Sequence, residues 1–154
     1  MTEVAEAAKP WHLRFAKECN NRAWELSVRA RTPEEDREML DAAHTSAWHW
    51  AKVGTGQQRM RAAMLLAEVH ALLGHGQAAL ALAKPMHDHF TRRDDTPDWE
   101  LAFAHTVLAH AAHAAGDAGL HRAVYRDATA AIARIAGEED RRIVMETFQH
   151  VPRP

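Results

Sequence analysis

The sequence is poor in cysteine, in aromatic residues and in long apolar runs, and each shortage excludes a class of structure. Cys19 is the only cysteine in the 154-residue chain, so neither an internal disulfide nor a zinc site built from several thiolates can form. No apolar run approaches the roughly 18 residues that a membrane-spanning helix needs. Aromatic residues make up only 6% of the chain, which leaves alanine and leucine as the main material for a core.

The charge balance and the N-terminal residues exclude further classes of partner and location. The chain has 19 basic and 21 acidic residues, whereas a general nucleic-acid-binding protein needs a basic face to displace counterions from phosphates. The first ten residues, MTEVAEAAKP, contain two acidic residues and no apolar core, unlike a signal peptide. We therefore expect a cytoplasmic protein that binds neither nucleic acid nor membranes.

Alanine and leucine dominate the hydrophobic 47% of the chain and favour helices. Both residues lose little side-chain entropy in a helix, whereas β-branched residues are sparse here. We predict an all-α fold of about seven helices. These form a single domain over residues 10–150, between a flexible lead-in at residues 1–9 and a short tail at residues 151–154.

Local signals predict where several helices begin and end. Pro10 fits the first turn of the first helix. Thr32 and Glu35 are spaced as a capping box around Pro33, which predicts the start of a second helix that ends at Gly54. Threonine and glycine mark the later boundaries in the same way, at Thr55, Gly74, Gly76, Thr96 and Gly116.

Trp48 and Trp99 are expected to differ in how far their side chains are buried. Trp48 shares a helical stripe with Ala43 and Ala47 in the second helix, so we expect its indole to be buried. Trp99 follows the polar segment at residues 91–98, so we expect it to be the most exposed tryptophan. Core packing is the expected role of the others, because an exposed indole is costly.

The stretch from Arg59 to Ala83, RMRAAMLLAEVHALLGHGQAALALA, has the pattern of a helical hairpin. Gly74 and Gly76 mark a turn, and small residues lie where the two helix backbones must approach closely. Its key positions follow one another at offsets of 1, 3, 4, 5 and 4 and are Leu66, Ala67, His70, Gly74, Ala79 and Ala83.

This spacing resembles the tetratricopeptide repeat (TPR), with His70 in place of the family's usual tyrosine and Ala83 in place of its phenylalanine. A second, partial match consists of Leu108, Ala109, Gly116, Tyr125 and Ala128. The resemblance implies a right-handed α-solenoid of stacked antiparallel hairpins. It also implies that the first helices of successive hairpins line a concave groove, which in this family holds an extended peptide or a partner's helix.

Mapping that groove onto the matching positions gives eight candidate binding residues. They are Arg61, Met64, Glu68, Leu72, Phe103, Thr106, His110 and His113. Their mixture of apolar, basic and imidazole side chains suits a protein or peptide segment, or a second copy of the chain in a homodimer. The set lacks the Lys/Arg–Asn combination with which some TPR grooves clamp a carboxylate.

The chain is histidine-rich, with twelve histidines, and this allows a metal site as a different interpretation. His110 and His113 are one turn apart, and in a TPR-like stack Glu68 would face them from a neighbouring helix. Two imidazoles and a carboxylate can bind zinc or another divalent metal. Because the HxxH spacing lacks the glutamate that makes HExxH diagnostic, we expect no cofactor and keep the metal as a weak alternative.

A second group of histidines consists of His44, His70 and His105. Each lies on the predicted apolar stripe of its helix, where an imidazole can replace an aromatic packing residue. The alternative is a polar pocket between the second, third and fifth helices that binds a small molecule. An imidazole there would titrate near neutral pH and would be suited to general acid–base catalysis.

These patterns favour a non-enzymatic interaction module that binds a protein segment or itself through its concave groove. The alternative function is a histidine-lined pocket for a metal or a small molecule, with or without catalysis. A regulatory domain that senses a small molecule is the third interpretation.

Overall fold

The computed structural model describes residues 2–154 and folds them into seven helices. The helices are α1 (Glu3–Ser27), α2 (Pro33–Val53), α3 (Gly56–Leu72), α4 (Gly76–Thr91), α5 (Asp98–Ala114), α6 (Ala118–Ala133) and α7 (Glu138–Phe148). Residues 2–154 contain no strand, so the predicted all-α class is confirmed.

Two kinds of helix contact build the fold. Each helix packs against the next one in the chain, from α1 with α2 through to α6 with α7. In addition, α3 packs against both α1 and α5, and α5 packs against α7. The odd-numbered helices therefore form one continuous face of the protein, and we call it the odd-helix face.

Threonine side chains cap the starts of α2 and α3, as predicted. The Glu35 N–H donates to Thr32 Oγ1 over 3.2 Å, and the Thr32 N–H donates to the Glu35 carboxylate over 3.0 Å. Thr55 and Gln58 make the equivalent pair of hydrogen bonds, at 3.2 and 2.9 Å. These reciprocal bonds satisfy backbone donors that have no partner within the first turn of a helix.

Glycines shape the turns after α3 and α5. Gly74 and Gly116 both have φ of +76°, a conformation that side chains with a Cβ rarely adopt. Gly76 then begins α4 directly against the end of α5, where an added Cβ would lie 2.2 Å from the carbonyl oxygen of Ala114. The short turn between α3 and α4 thus depends on two glycines for two different reasons.

The predicted start of the first helix is wrong. α1 begins at Glu3, so Pro10 lies inside the helix rather than in its first turn. Acidic side chains at Glu3 and Glu6 favour the earlier start, because they interact with the positive end of the helix dipole. Residues 3–9 of the predicted lead-in are therefore helical, and residue 1 lies outside the described residues.

The predicted buried face of α2 is wrong by about one residue. Trp48 is 55% exposed, whereas the buried positions are Met39, Ala43, Ser46 and Trp50. Ser46 fits this face because its hydroxyl donates to the Ala16 carbonyl over 2.8 Å. Alanines on both sides of the helix carry little information about which face is buried, and the sequence pattern therefore selected the wrong one.

The largest apolar cluster of the core lies between α3, α4 and α5 and includes Met86, Phe90, Val107 and Leu108. Smaller clusters join α1 and α2 to α3, and α5 to α7. Among residues 2–154, no helix combines the length and the apolar character needed to cross a membrane.

Candidate functional site

The odd-helix face contains a cavity of about 230 Å³. All four odd-numbered helices contribute to its walls. The lining residues are Asn20, Trp24, Arg61, Met64, Leu65, Glu68, Trp99, Glu100, Phe103, Val107 and Thr147. Four of the eight predicted groove residues, Arg61, Met64, Glu68 and Phe103, are among them.

Three aromatic side chains form much of the cavity wall. The Phe103 ring lies at the centre, with its centroid 5.7 Å from that of Trp24 and 6.2 Å from that of Trp99. The interplanar angles are 77° and 90°, the edge-to-face arrangement that aromatic pairs prefer. Trp99, predicted to be the most exposed tryptophan, is instead half-buried in this wall.

Arg61 and Glu100 form an ion pair at one side of the cavity. Arg61 donates from Nε to Glu100 Oε2 over 2.6 Å and from Nη2 to Oε1 over 3.0 Å. The Glu100 side chain is buried and the Arg61 side chain is partly exposed. The hydrogen bond to Glu100 raises the pKa of the Arg61 guanidinium, and the fork-shaped contact satisfies both oxygens of the buried carboxylate.

Glu68 also lines the cavity and is paired with His110. Nδ1 of His110 donates to Glu68 Oε1 over 2.8 Å, and both residues are buried, at 5% and 3% exposure. Oε2 of Glu68 has no hydrogen-bond partner among residues 2–154, and neither has the hydroxyl of Thr147. Buried polar atoms are nearly always hydrogen-bonded, so a donor that reached either of these two atoms would be stabilising.

The other four predicted groove residues, Leu72, Thr106, His110 and His113, are not part of the cavity lining. Thr106 is fully buried in α5, where its hydroxyl donates to the Ala102 carbonyl over 2.8 Å. Leu72 is half-buried and packs on the apolar cluster shared by α1, α2 and α3. The sequence pattern took all eight residues from α3 and α5 but did not separate positions that line the cavity from those that do not.

The structure brings together two of the three candidate metal ligands. Glu68 and His110 are in contact, whereas His113 is exposed and its ring packs against His121, with the centroids 5.0 Å apart. Within the described part of the chain, no group of three or more histidine, cysteine, aspartate or glutamate side chains is arranged to hold a metal ion.

The three histidines of the predicted polar pocket are divided between two places. The rings of His44 and His70 are 5.3 Å apart, and Nδ1 of His70 lies 3.1 Å from Nδ1 of His75. His105 is elsewhere, between α4 and α5, where its Nδ1 lies 3.0 Å from Nε2 of His87. The two contacts are built from different helices and share no ligand space.

Several imidazoles are paired across helices, and the sequence spacing does not indicate these pairs. Besides the two contacts above, His12 and His49 join α1 to α2 with their Nδ1 atoms 2.8 Å apart. In each such pair one ring must donate and the other accept, so at most one ring can be protonated without losing the hydrogen bond. Burial lowers the pKa of His87 to about 4, and it also lowers the pKa of His49, His70 and His105.

A second surface feature is a group of exposed aromatic residues on α1 and α2. Trp11 is 54% and Trp48 55% exposed, with the partly exposed ring of Phe15 stacked on Trp11 at 6.1 Å. Lys52 Nζ lies 4.8 Å from the centroid of the Trp48 ring. We call this group the α1–α2 aromatic patch; it is open to solvent and separate from the cavity.

Comparison with known proteins gives no relative from which a role could be transferred. No protein-family model, curated protein or solved structure matches the chain. The chemistry of the cavity must therefore be inferred from its own residues, which combine an aromatic and aliphatic wall with one ion pair and one unpartnered carboxylate oxygen.

Proposed function

We propose that this protein is a non-enzymatic interaction module of TPR-like architecture that binds a protein segment along its odd-helix face. The observation that carries the proposal is the cavity on this face, whose lining combines Trp24, Trp99 and Phe103 with Glu68, a buried residue whose Oε2 atom has no hydrogen-bond partner among residues 2–154. Convergent polar groups in a largely apolar cavity are typical of binding sites.

The helix contacts support the TPR-like part of the proposal. The succession of contacts from α1 to α3, α5 and α7 is the one expected when helical hairpins stack side by side. Gly74 and Gly116 occupy equivalent turns and share the same φ, as repeated units would. The first helices of such hairpins would be the odd-numbered ones, which are the helices that line the cavity.

The size of the cavity favours a segment that inserts one side chain. Its volume of about 230 Å³ is below the range of about 300–1,000 Å³ that is usual for clefts that enclose drug-sized ligands. A single long side chain fits such a volume, while the rest of the segment would run over the partly exposed rim at Asn20 and Arg61. Deep pockets filled by one anchor residue commonly dominate the energy of protein interfaces.

The proposal is tested by selecting binders from a random linear peptide library displayed on phage, with the full chain as the target. Met64→Trp should fill the cavity and abolish binding of the selected peptides. Met145→Trp is the matched control, because Met145 is exposed on α7 and does not line the cavity. Cooperative thermal unfolding of both variants would show that each is folded.

The peptide selection and native mass spectrometry have three informative results, which distinguish what occupies the odd-helix face. Selected peptides that bind the wild type and Met145→Trp but not Met64→Trp support the proposal. A failure to select any binder, or full binding by Met64→Trp, overturns it. A dimer in native mass spectrometry that only Met64→Trp dissociates would show that a second copy of the chain, rather than another protein, occupies the face.

A further inference from the structure

The carboxylate of Glu68 determines which side chain the cavity can accept. One of its oxygens accepts a hydrogen bond from His110, while Oε2 is buried without a partner among the described residues. A carboxylate can only accept hydrogen bonds, so its complement must be a donor. A buried acceptor that stays unpaired on binding would cost affinity, whereas a paired one would contribute to it.

The other charges around the cavity leave this site available for a cation. The guanidinium of Arg61 is bound to both oxygens of Glu100, at 2.6 and 3.0 Å, so these two charges balance each other. Glu68 has no arginine or lysine partner in any ion pair of residues 2–154. An incoming anion would meet the buried carboxylate of Glu68, and like charges at short range repel.

The walls are suited to the stem and head of a basic side chain. The faces of Trp24, Trp99 and Phe103 can attract a cation through their ring quadrupoles. Met64 and Val107 supply aliphatic surface for the methylene groups that lysine and arginine bury behind their charged heads. A neutral aliphatic side chain would match the walls equally well but would leave Glu68 Oε2 unpaired.

We infer that the bound segment inserts a lysine or arginine side chain, whose cationic head donates to Glu68 Oε2 inside the aromatic cavity. This inference rests on the proposed function and specifies the residue by which the partner is recognised. The charge-assisted hydrogen bond to Glu68 would provide specificity, and the aromatic contacts would add affinity.

The chemical part of the inference can be tested with small probes in place of a peptide. We would titrate n-butylammonium and n-butylguanidinium, with 1-butanol as the neutral control of similar shape. The indole N–H signals of Trp24 and Trp99 in ¹H–¹⁵N NMR spectra report on the cavity, and Trp→Phe variants assign them. Both signals should shift with the two cations. The affinity for 1-butanol should be at least about tenfold lower than the affinity for either cation.

Glu68→Gln is the decisive variant. Glutamine keeps the shape and an acceptor for His110 but presents an amide donor where the cation should bind, so affinity for both cations should fall about tenfold. Affinity for 1-butanol should be unchanged. Glu138→Gln is the matched control, because Glu138 is exposed at the start of α7, away from the cavity lining. Equal cation binding by wild type and Glu68→Gln would overturn the inference.

The selected peptides distinguish failure of this inference from failure of the proposed function. If they bind through the cavity but carry no lysine or arginine, and Glu68→Gln binds them equally well, the inference is wrong and the interaction module stands. If no peptide is selected but n-butylammonium binds, the site takes a free amine and the proposed function is overturned. If replacing a basic residue of a selected peptide by norleucine abolishes binding, the result supports both the proposed function and this inference.

Discussion

Glu68 and His110 are 42 residues apart in the sequence, yet Glu68 Oε1 and His110 Nδ1 lie 2.8 Å apart in the interior between α3 and α5. This contact connects two neighbouring helices of the odd-helix face. Oε2, the other oxygen of this carboxylate, is buried and has no partner among residues 2–154. One hydrogen bond thus connects His110, which positions the carboxylate, to Glu68, the residue that we propose binds the ligand.

Removing His110 should destabilise the protein, because it leaves a second buried carboxylate oxygen of Glu68 without a donor. We expect His110→Ala to lower the free energy of unfolding by about 2–4 kcal/mol, measured by urea denaturation. His113→Ala on the same helix is the control, and its exposed side chain should change stability by only about 0.5 kcal/mol. Equal effects of the two variants would contradict a buried Glu68–His110 hydrogen bond.

The two tryptophans near the end of α2 should differ greatly in their effect on stability. Trp50 is 9% exposed and packs in the small cluster with Ala16 and Ala62, so Trp50→Ala should cost about 3–5 kcal/mol. Trp48 is largely in solvent, and Trp48→Ala should cost about 1 kcal/mol or less. Chemical denaturation of both variants measures the loss in free energy of unfolding. A larger loss for Trp48→Ala than for Trp50→Ala would show that Trp48 lies on the buried face of α2, as predicted from the sequence.

Stability should fall as the pH drops below neutrality, because burial against His105 favours the neutral form of His87. The pKa of His87 is lowered from 6.5 to about 4 by burial and by the adjacent His105, although Asp88 and Asp127 partly oppose this. The unfolded chain therefore binds more protons than the folded protein between these values, and acid favours unfolding. The contribution of His87 to the free energy of unfolding is complete above about pH 6.5 and is lost as the pH falls towards about 4.

The measurement is the free energy of unfolding at a series of pH values for the wild type and His87→Gln. Glutamine does not titrate, so the variant should lose less stability than the wild type between pH 7 and pH 5. Parallel pH profiles would show that His87 is protonated equally in the folded and unfolded states, contrary to its lowered pKa in the folded protein.

Two glycines at helix starts should respond in opposite ways to alanine. Gly76 begins α4 against the backbone of α5, and an added Cβ would lie 2.2 Å from the Ala114 carbonyl oxygen. Gly76→Ala should therefore cost about 1–3 kcal/mol. Gly56 begins α3, and its Cβ would have no neighbour within 4 Å, so Gly56→Ala should be neutral or stabilise by about 0.5–1 kcal/mol. Thermal unfolding compares them; a stable Gly76→Ala protein would show that α4 and α5 can separate at this turn.

The features that could be predicted from sequence are those encoded by a few neighbouring residues. The starts of α2 and α3 depend on hydrogen bonds within four residues, such as that between Thr32 and Glu35, and they were confirmed. In the same way, Arg61, Met64 and Glu68 recur at helical spacing, so their common face could be inferred before the cavity was seen.

The features that escaped prediction depend on contacts between distant segments. Trp24 and Thr147 enter the cavity from α1 and α7, and no local pattern indicates which of their faces meets α3 and α5. The pairing of His87 with His105 depends on how α4 packs on α5. In alanine-rich helices the buried face is especially hard to predict, since an alanine fits on either face.

The most direct test of the central claim locates the bound segment on the protein. A selected peptide carrying a nitroxide spin label next to its basic residue would be added to ¹⁵N-labelled protein, and broadening of the indole N–H signals recorded. Binding in the cavity predicts that Trp24 and Trp99 broaden strongly while Trp11 and Trp48 do not. Broadening of Trp11 and Trp48 instead would place the segment on the α1–α2 aromatic patch and contradict the account.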